Sequence, residues 1–446
     1  MKEKNPMGYK PIFPLLMSMA FPPMISMLIQ SLYNIIDSIF VAQLGEEALT
    51  AVSLIYPLQN LSLAVSCGIG IAMNALIARH LGAENNKEAS YVANQGILMT
   101  ILHSMIFVVI GLFLIRSFVQ LFTSNSQVID YGWQYGFIVI TFTFGSFIHL
   151  AIEKLFQACG NMIVPMIMQI TGAVVNIILD PILIFGYFGL PALGVAGAAL
   201  ATIIGQMSAC FISIFLFVKY NKHIHLSFHH LRLDVKTFKS LYAIAIPSGM
   251  MMCLPSVLVS FLNSMLATIS QTAVAFFGVY YKLQSFVYMP SNGVIQGMRP
   301  IMSYNFGAKQ TERMNKTLKA SFSTIGTIMF AGSLLFFIFP EFILSMFHAN
   351  TDMLNIGISG LRILSLSFVL STGGIVMSGV FESLGRGKQS LLISLLRQFI
   401  IIIPLAFIFI PILGLEGVWI TFPISEAIAS CVAFYLYKTL YKKIAR

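Results

Sequence analysis

Two carboxylates lie in the wrong solvent. Asp37 sits in the apolar run YNIIDSIFV and Asp180 in NIILDPILIF. An acid in a lipid-embedded stretch is costly to keep and usually marks an ion path, a proton relay or a substrate contact. A structural alternative stands beside this: Asp37 as the cap of an internal turn, and Asp180, followed by Pro181, as a local stop. The chain is also written twice: LGEEALTAVSLIYPLQN…LGA around Leu44 to Ala83 returns as ISQTAVAFFGVYYKLQS…FGA around Ile269 to Ala308, about 225 residues later, the spacing of an internal duplication. The acids do not recur. Asn263 stands where Asp37 would be repeated, and apolar residues around Pro404 stand opposite Asp180.

The elements that must hold these acids follow from composition. The chain has 446 residues, 57% of them hydrophobic and 9% charged, with a mean hydropathy of +0.86. That is too little charge to cover a soluble domain. Apolar runs long enough to cross a bilayer recur without period-2 alternation, which favours helices over a barrel. The breaks between runs give about twelve spans, from Phe13–Ala42 to Gly417–Tyr437. The expected fold is therefore an all-α integral membrane protein with an N-terminal lobe over 1–218, a cytoplasmic linker over 219–240 and a C-terminal lobe over 241–446. Pro22 and Pro23 fall inside the first span, Pro247 and Pro255 inside the seventh. Each pair removes backbone donors and bends its helix, which makes Pro22 and Pro23 the expected hinge.

Loop charge orients the chain. Lys2, Lys4 and Lys10, then Arg79 and Lys87, then Lys219, Lys222, Arg232, Lys236 and Lys239 fall on one side, joined by Lys309, Arg313, Lys316, Lys319, Arg386, Lys388, Lys438, Lys442, Lys443 and Arg446. The positive-inside rule makes both termini cytoplasmic in a multi-pass protein of the bacterial inner membrane. The net charge of +10 then reflects topology and acidic lipid headgroups, and no nucleic-acid partner is implied. The five cysteines make no CxxC or zinc spacing, and His223, His225, His229 and His230 in the linker lack a companion acid or thiol; the expectation is no bound metal cofactor. No HExxH, GxSxG or P-loop is present, so neither an enzyme nor an ATP-driven pump is indicated.

Longer segments carry a resemblance. Gly68–Ala83 (GIGIAMNALIARHLGA), Phe156–Gly186, Leu193–Gln206, Gln296–Gln310 (QGMRPIMSYNFGAKQ), Phe381–Gln398 and Leu413–Glu426 resemble the multidrug and toxic compound extrusion (MATE) family at matching positions over most of the chain. The resemblance implies two pseudo-symmetric six-helix lobes that exchange an outgoing organic cation or drug for incoming H+ or Na+. It also implies roles for particular residues. Asp37 matches the first-helix acid of bacterial members, Asn176 and Asp180 their fifth-helix Asn-x-x-x-Asp, Thr202 a sixth-helix hydroxyl, and Tyr135 a fourth-helix neighbour. A spacing of four puts Asn176 and Asp180 on one helical face. Hydroxyl, amide and carboxylate oxygens suit Na+ or shared protons, and two acids in a dry lobe are expected to take up one such charge. The seventh span lacks the acid that one branch of the family carries there. A flippase for lipid-linked saccharides shares the broader fold and is the alternative function.

The remaining buried charges are harder to read. Glu153 and Lys154 adjoin near the end of the fourth span, while Lys282, Arg299, Arg362, Arg397, Glu382 and Glu426 populate the second half, where pairing is expected. Glu153, Glu382 and Glu426 are the candidate contacts for a cationic substrate. The expected state is a monomer surrounded by membrane lipid.

Overall fold

In the computed structural model, residues 5–221, 224–227, 233–347 and 350–444 are described. His223, His229 and His230 lie outside them, as do Lys2, Lys4, Lys222, Arg232 and Arg446. The described chain is almost entirely helical. In order run α1 (Ile12–Ala42), α2 (Glu46–Gly82), α3 (Asn86–Phe113), α4 (Ser126–Ala158), α5 (Ile163–Phe185), α6 (Val195–Tyr220), α7 (Val235–Ala267), α8 (Gln271–Gly307), α9 (Thr311–Ile338), α10 (Thr351–Ser383), α11 (Gly387–Leu413) and α12 (Leu415–Ile444). Among the described residues eleven of these are long and apolar enough to cross a membrane. The other is α8, which has the length, at 37 residues, but carries Lys282, Gln284, Gln296 and Arg299.

Local chemistry sets the breaks. Side chains of Asn85, Asn125, Ser270 and Asn350 accept backbone N–H groups at the starts of α3, α4, α8 and α10, satisfying donors that a helix cannot satisfy itself. Gly186, with φ of +76°, ends α5 in the left-handed conformation that suits glycine. Two spans are less regular than expected. The fourth, read from sequence as one run, breaks at Phe142–Thr143 into Ser126–Thr141 and Phe144–Ala158. The eleventh contains a π-helical turn at Leu396–Ile400.

The chain forms two compact units, and they divide the spans in a way that the linear lobes 1–218 and 241–446 did not anticipate. One unit takes in Phe21–Gly249, the other Met7–Ala20 and Met250–Arg446. Thus α1 is divided next to Pro22 and Pro23, and α7 two residues after Pro247. The exchanged segments are seated tightly. In the first unit the opening turns of α7 lie so close to α2 that a Cβ on Gly68 would stand 2.5 Å from the Ala245 carbonyl oxygen. In the second, the opening turns of α1 lie on α8, where a Cβ on Gly297 would stand 2.8 Å from the Ala20 nitrogen. Contacts this short leave room only for hydrogen at each glycine.

The first unit's core is aliphatic with a few rings, including Ile55, Phe107, Tyr135, Phe147 and Val195. The second's is aromatic: Tyr280 stacks on Phe368 at 6.4 Å, and Phe277 on Trp419 at 6.0 Å. Large apolar side chains such as Phe113, Phe211, Phe215, Phe407 and Ile412 are exposed, the inverse of a soluble surface and the lipid-facing side of these spans.

The connection between α6 and α7 is held against α3 by polar side chains. Ser90 Oγ accepts the His225 backbone N–H at 3.0 Å, Asn94 donates to the His225 carbonyl at 3.0 Å and accepts from Ser227 N–H at 2.8 Å, and Gln95 accepts from Asp234 N–H at 3.2 Å. Asp234 then caps α7, and the Thr237 hydroxyl donating to its carboxylate at 2.5 Å holds it below the ordinary carboxylate range.

Replacing Gly68 by Ala forces α2 and α7 apart or strains both, and overpacking of this kind costs about 1–3 kcal/mol. Gly68→Ala is expected to lower the thermal unfolding midpoint in detergent by several degrees. Gly278→Ala, where nothing lies within 4 Å of the added carbon, is expected to leave it unchanged; equal effects from the two would contradict the close-approach argument.

Candidate functional site

The two acids of the apolar spans both lie in the first unit, Asp180 buried and Asp37 partly buried. Asp180 sits near the end of α5, fully buried, with Asn176 one turn before it, 2% exposed. The glycines of α5 and α6 bring in the next partner. A Cβ on Gly205 would stand 2.7 Å from the Gly172 carbonyl oxygen and 3.1 Å from Asn176 Cβ, so the two helices touch there and Thr202, one turn before Gly205, reaches Asn176. An amide's orientation follows from what its two ends face. With its nitrogen towards Asp180, Asn176 donates to Oδ2 at 3.3 Å and its oxygen accepts the Thr202 backbone N–H at 3.1 Å.

Asp37 approaches from α1 and Tyr135 from the first half of α4. Asp37 is close enough to interact electrostatically with both Asp180 and Tyr135. The Tyr135 hydroxyl accepts a hydrogen bond from Gln59 at 3.4 Å. One carboxylate oxygen of Asp37, Oδ1, is buried without a hydrogen-bond partner. Among the described residues no lysine or arginine pairs with either acid. Two carboxylates so placed are short of positive charge, and a proton or a small hard cation is what their oxygens can accept. The structure therefore brings together Asp37, Asn176, Asp180, Thr202 and Tyr135.

It also brings in residues that sequence reading passed over. Tyr33, one turn before Asp37, interacts with both acids. A cavity in the same unit, with about 90 Å3 open to the centre of a water molecule, is lined among others by Tyr33, Asn176, Thr202, Gln30, His149 and Gln169. That is room for several waters or a hydrated ion and too little for a drug-sized molecule. Asp37 and Asp180 are not in its wall. A usable signal existed: Gln30, His149, Gln169 and Gln206 are polar side chains in the middle of apolar spans, and Tyr33 has the i, i+4 spacing to Asp37.

The acids suggested for a cationic substrate have counter-charges already. Glu153 Oε1 accepts from Lys154 Nζ at 2.7 Å and from Gln157 Nε2 at 2.8 Å. Glu382 pairs with Arg299 at 2.6 Å. Glu426 is gripped by two guanidinium nitrogens of Arg397, at 2.6 and 2.9 Å, and Arg397 stands in the π-helical turn of α11, against Gly374 of α10. All three acids are buried. Each of the three carboxylates is thus already engaged by a cationic side chain. The geometry also supplies the partners that sequence could not choose for Arg299, Arg397, Glu382 and Glu426.

Removing one member of a buried ion pair leaves an uncompensated charge, at a cost of about 3–5 kcal/mol. Arg397→Met is therefore expected to lower thermal stability sharply, and the double variant Arg397→Met with Glu426→Met to recover most of the loss. A double variant no more stable than the single one would show that the pair does not act as a unit.

With this geometry in hand, comparison with known proteins identifies the fold. The MatE family model matches the chain twice, over residues 22–182 and 247–408, once in each half of the internal repeat. The multidrug export protein MepA of Staphylococcus haemolyticus (strain JCSC1435) is 26% identical over 434 residues, 97% of this chain and 95% of that protein. Among solved structures, an outward-facing multidrug resistance MATE transporter of the MOP superfamily superposes with a TM-score of 0.91 at 24% identity, covering 100% of this chain and 99% of the other. A MOP superfamily transporter from Pyrococcus furiosus, whose reversed binding-pocket polarity suggested a different function, superposes with the same TM-score at 23% identity, covering 100% and 99%. At these identities the structures establish the two-lobed fold alone. The two family matches span most of the chain: it belongs to the MATE family, and it is a multi-pass membrane transporter rather than an enzyme.

Proposed function

We propose that this protein is a secondary active exporter that moves organic cations and drugs out of a bacterial cell in exchange for H+ or Na+, with Asp37, Asn176, Asp180, Thr202 and Tyr135 as the coupling site. The observation that carries this reading is the carboxylate pair, Asp180 buried and Asp37 partly buried, with no lysine or arginine paired to either among the described residues. MepA, a multidrug export protein by name, matches nearly the whole chain, which supports the substrate class. Loop charge supports an orientation with both termini cytoplasmic. The transporter needs no organic cofactor and works as a monomer within the lipid.

The physical argument is one of charge. With Asp37 and Asp180 both ionised, the site holds two negative charges among buried groups, a costly arrangement. Binding one H+ or Na+ relieves that cost. A state that binds the ion better is then populated at the expense of the other, by as much as the two affinities differ. Pro22 and Pro23, next to the point where α1 is divided between the units, are the place in that helix where backbone geometry can adjust at least cost, because two of its hydrogen bonds are already missing. Asn176 and Thr202 hold the oxygen of Asp180 in place, and Tyr135 and Tyr33 offer hydroxyls to the incoming ion.

Asp37→Asn and Asp180→Asn each remove one charge at nearly constant shape. Either substitution is expected to reduce ethidium efflux from cells to the level of cells without the protein, with expression and membrane insertion unchanged. Wild-type rates in Asp37→Asn would remove the coupling assignment. In vesicles, ethidium transport under a pH gradient or a Na+ gradient imposed singly identifies the ion.

A further inference from the structure

Outside the coupling site, a run of polar contacts in the first unit starts at the cavity wall and leads away from the acids. Gln169 of α5 donates to Gln30 of α1 at 2.9 Å, and its oxygen faces His149 Nε2 at 3.3 Å. His149 Nδ1 meets Ser213 Oγ of α6 at 2.8 Å. One turn further along α4, Glu153 Oε2 lies 4.0 Å from His149 Nε2, and Glu153 is bonded in turn to Lys154 and Gln157. The last residues of this run sit at the end of α4, where Asn5 donates to the Cys159 carbonyl. Nothing in the coupling argument uses any of these groups.

The geometry points to a proton path from the acid pair to the cytoplasmic end of the N-terminal unit, running through the cavity to His149 and from His149 to Glu153. This rests on the antiport reading and on the orientation proposed above. Its first segment is the cavity itself, whose wall includes Asn176 and Thr202 at the acids' end and Gln169 and His149 at the other. Asp180 to Gln169 is eleven positions on α5, a rise of about 16 Å at 1.5 Å per residue. The cavity holds the part of that length from Asn176 to Gln169, and Asn176, bonded to Asp180, joins the acids to it.

His149 has a polar partner at each ring nitrogen, so a proton can sit on either one. The Ser213 hydroxyl donates its one hydrogen to the Ala209 carbonyl at 2.6 Å, so the imidazole faces acceptors at both nitrogens, Ser213 Oγ and Gln169 Oε1. A ring with both N–H groups satisfied is the imidazolium. Turning the Ser213 hydroxyl towards Nδ1 gives the neutral ring its own partner. The charged groups around His149 are Glu153 and Lys154 on its own helix. From α5 and α6 it meets the neutral Gln169 and Ser213, and from α1, through Gln169, the neutral Gln30. In each step one bond to hydrogen breaks as another forms. The carboxylic acid of the pair loses its proton to cavity water and is ionised, the imidazole gains a proton, and Nε2–H passes it to Glu153 Oε2 through a small rotation or one water. Glu153 then releases it to the cytoplasm. Lys154, held by Glu153 and Gln157 and accommodated against Gly70 of α2, fixes the position of the exit carboxylate.

The test uses the purified full chain in liposomes, with ethidium as substrate, an imposed pH or Na+ gradient, and a trapped dye reporting internal pH. His149→Leu removes the relay. Glu153→Gln removes the exit acid while keeping hydrogen bonds to Lys154 and Gln157, so it tests the path even where the leucine variant folds poorly. Loss of a positioned proton donor or acceptor slows transfer by about 100-fold or more, and a drop of at least tenfold in proton-driven ethidium flux is expected for both, with ethidium binding unchanged and a changed solvent deuterium effect. Proton-driven flux and isotope effect equal to wild type in both variants overturn the path. So does a parallel loss of ethidium binding, which marks a structural role. Wild-type transport driven by Na+ alone also overturns the path and leaves the antiport reading intact; transport driven by neither gradient removes the antiport reading itself.

Discussion

Asp37 and Asp180 interact electrostatically within an apolar helical unit, and no lysine or arginine answers them among the described residues. Every other buried acid singled out in the chain is answered: Glu153 by Lys154, Glu382 by Arg299, Glu426 by Arg397. The contrast matters because the cost of an ionised carboxylate away from water is large, and it is met in one of two ways. A fixed counter-charge meets it permanently. A bound proton or Na+ meets it for as long as it stays bound, which makes the cost available for work.

The surrounding fold serves that difference. Glycines at 172 and 205 bring α5 against α6 so that Asn176 and Thr202 can order the oxygens of Asp180. Tyr33 and Tyr135 add hydroxyls without adding charge. The cavity beside them is small, with glutamine, histidine, asparagine and threonine side chains among apolar ones in its wall, while the interior of the second unit is built on stacked aromatic rings. Division of α1 next to its proline pair puts Asp37 and the opening turns of the same helix in different compact units, so one continuous helix carries the charge-sensitive group at one end and a tightly packed anchor at the other.

The two halves of the repeat have diverged in chemistry while keeping a common outline. Asn263 in place of the first acid removes a charge, and the Arg397–Glu426 and Arg299–Glu382 pairs add two charges of each sign in neutral combination. The π-helical turn at Leu396–Ile400 has no counterpart among the described elements of the first unit and presents Arg397 to Glu426. Such turns insert one residue into a helix and often mark functional positions; here its visible consequence is a two-point ion pair.

Sequence alone determined the class, the number of spans to within one and the internal repeat, and it singled out Asp37 and Asp180 as acids in apolar spans, because hydropathy over about twenty residues and the cost of charge in lipid are local properties written in one dimension. Spacing of four also placed Asn176 with Asp180, since both belong to one helix. What pairs across helices was not legible. Glu382 and Glu426 are expected from sequence to pair with a cation of the second half, but only folding chooses Arg299 and Arg397, and the contacts of Gln169 with Gln30 and of His149 with Ser213 join helices far apart in sequence. The exchange of the opening turns of α1 and α7 was hidden for the same reason: hydropathy reports that a segment is buried, and only the tertiary structure, through contacts as close as Gly68 with Ala245 and Gly297 with Ala20, decides against what.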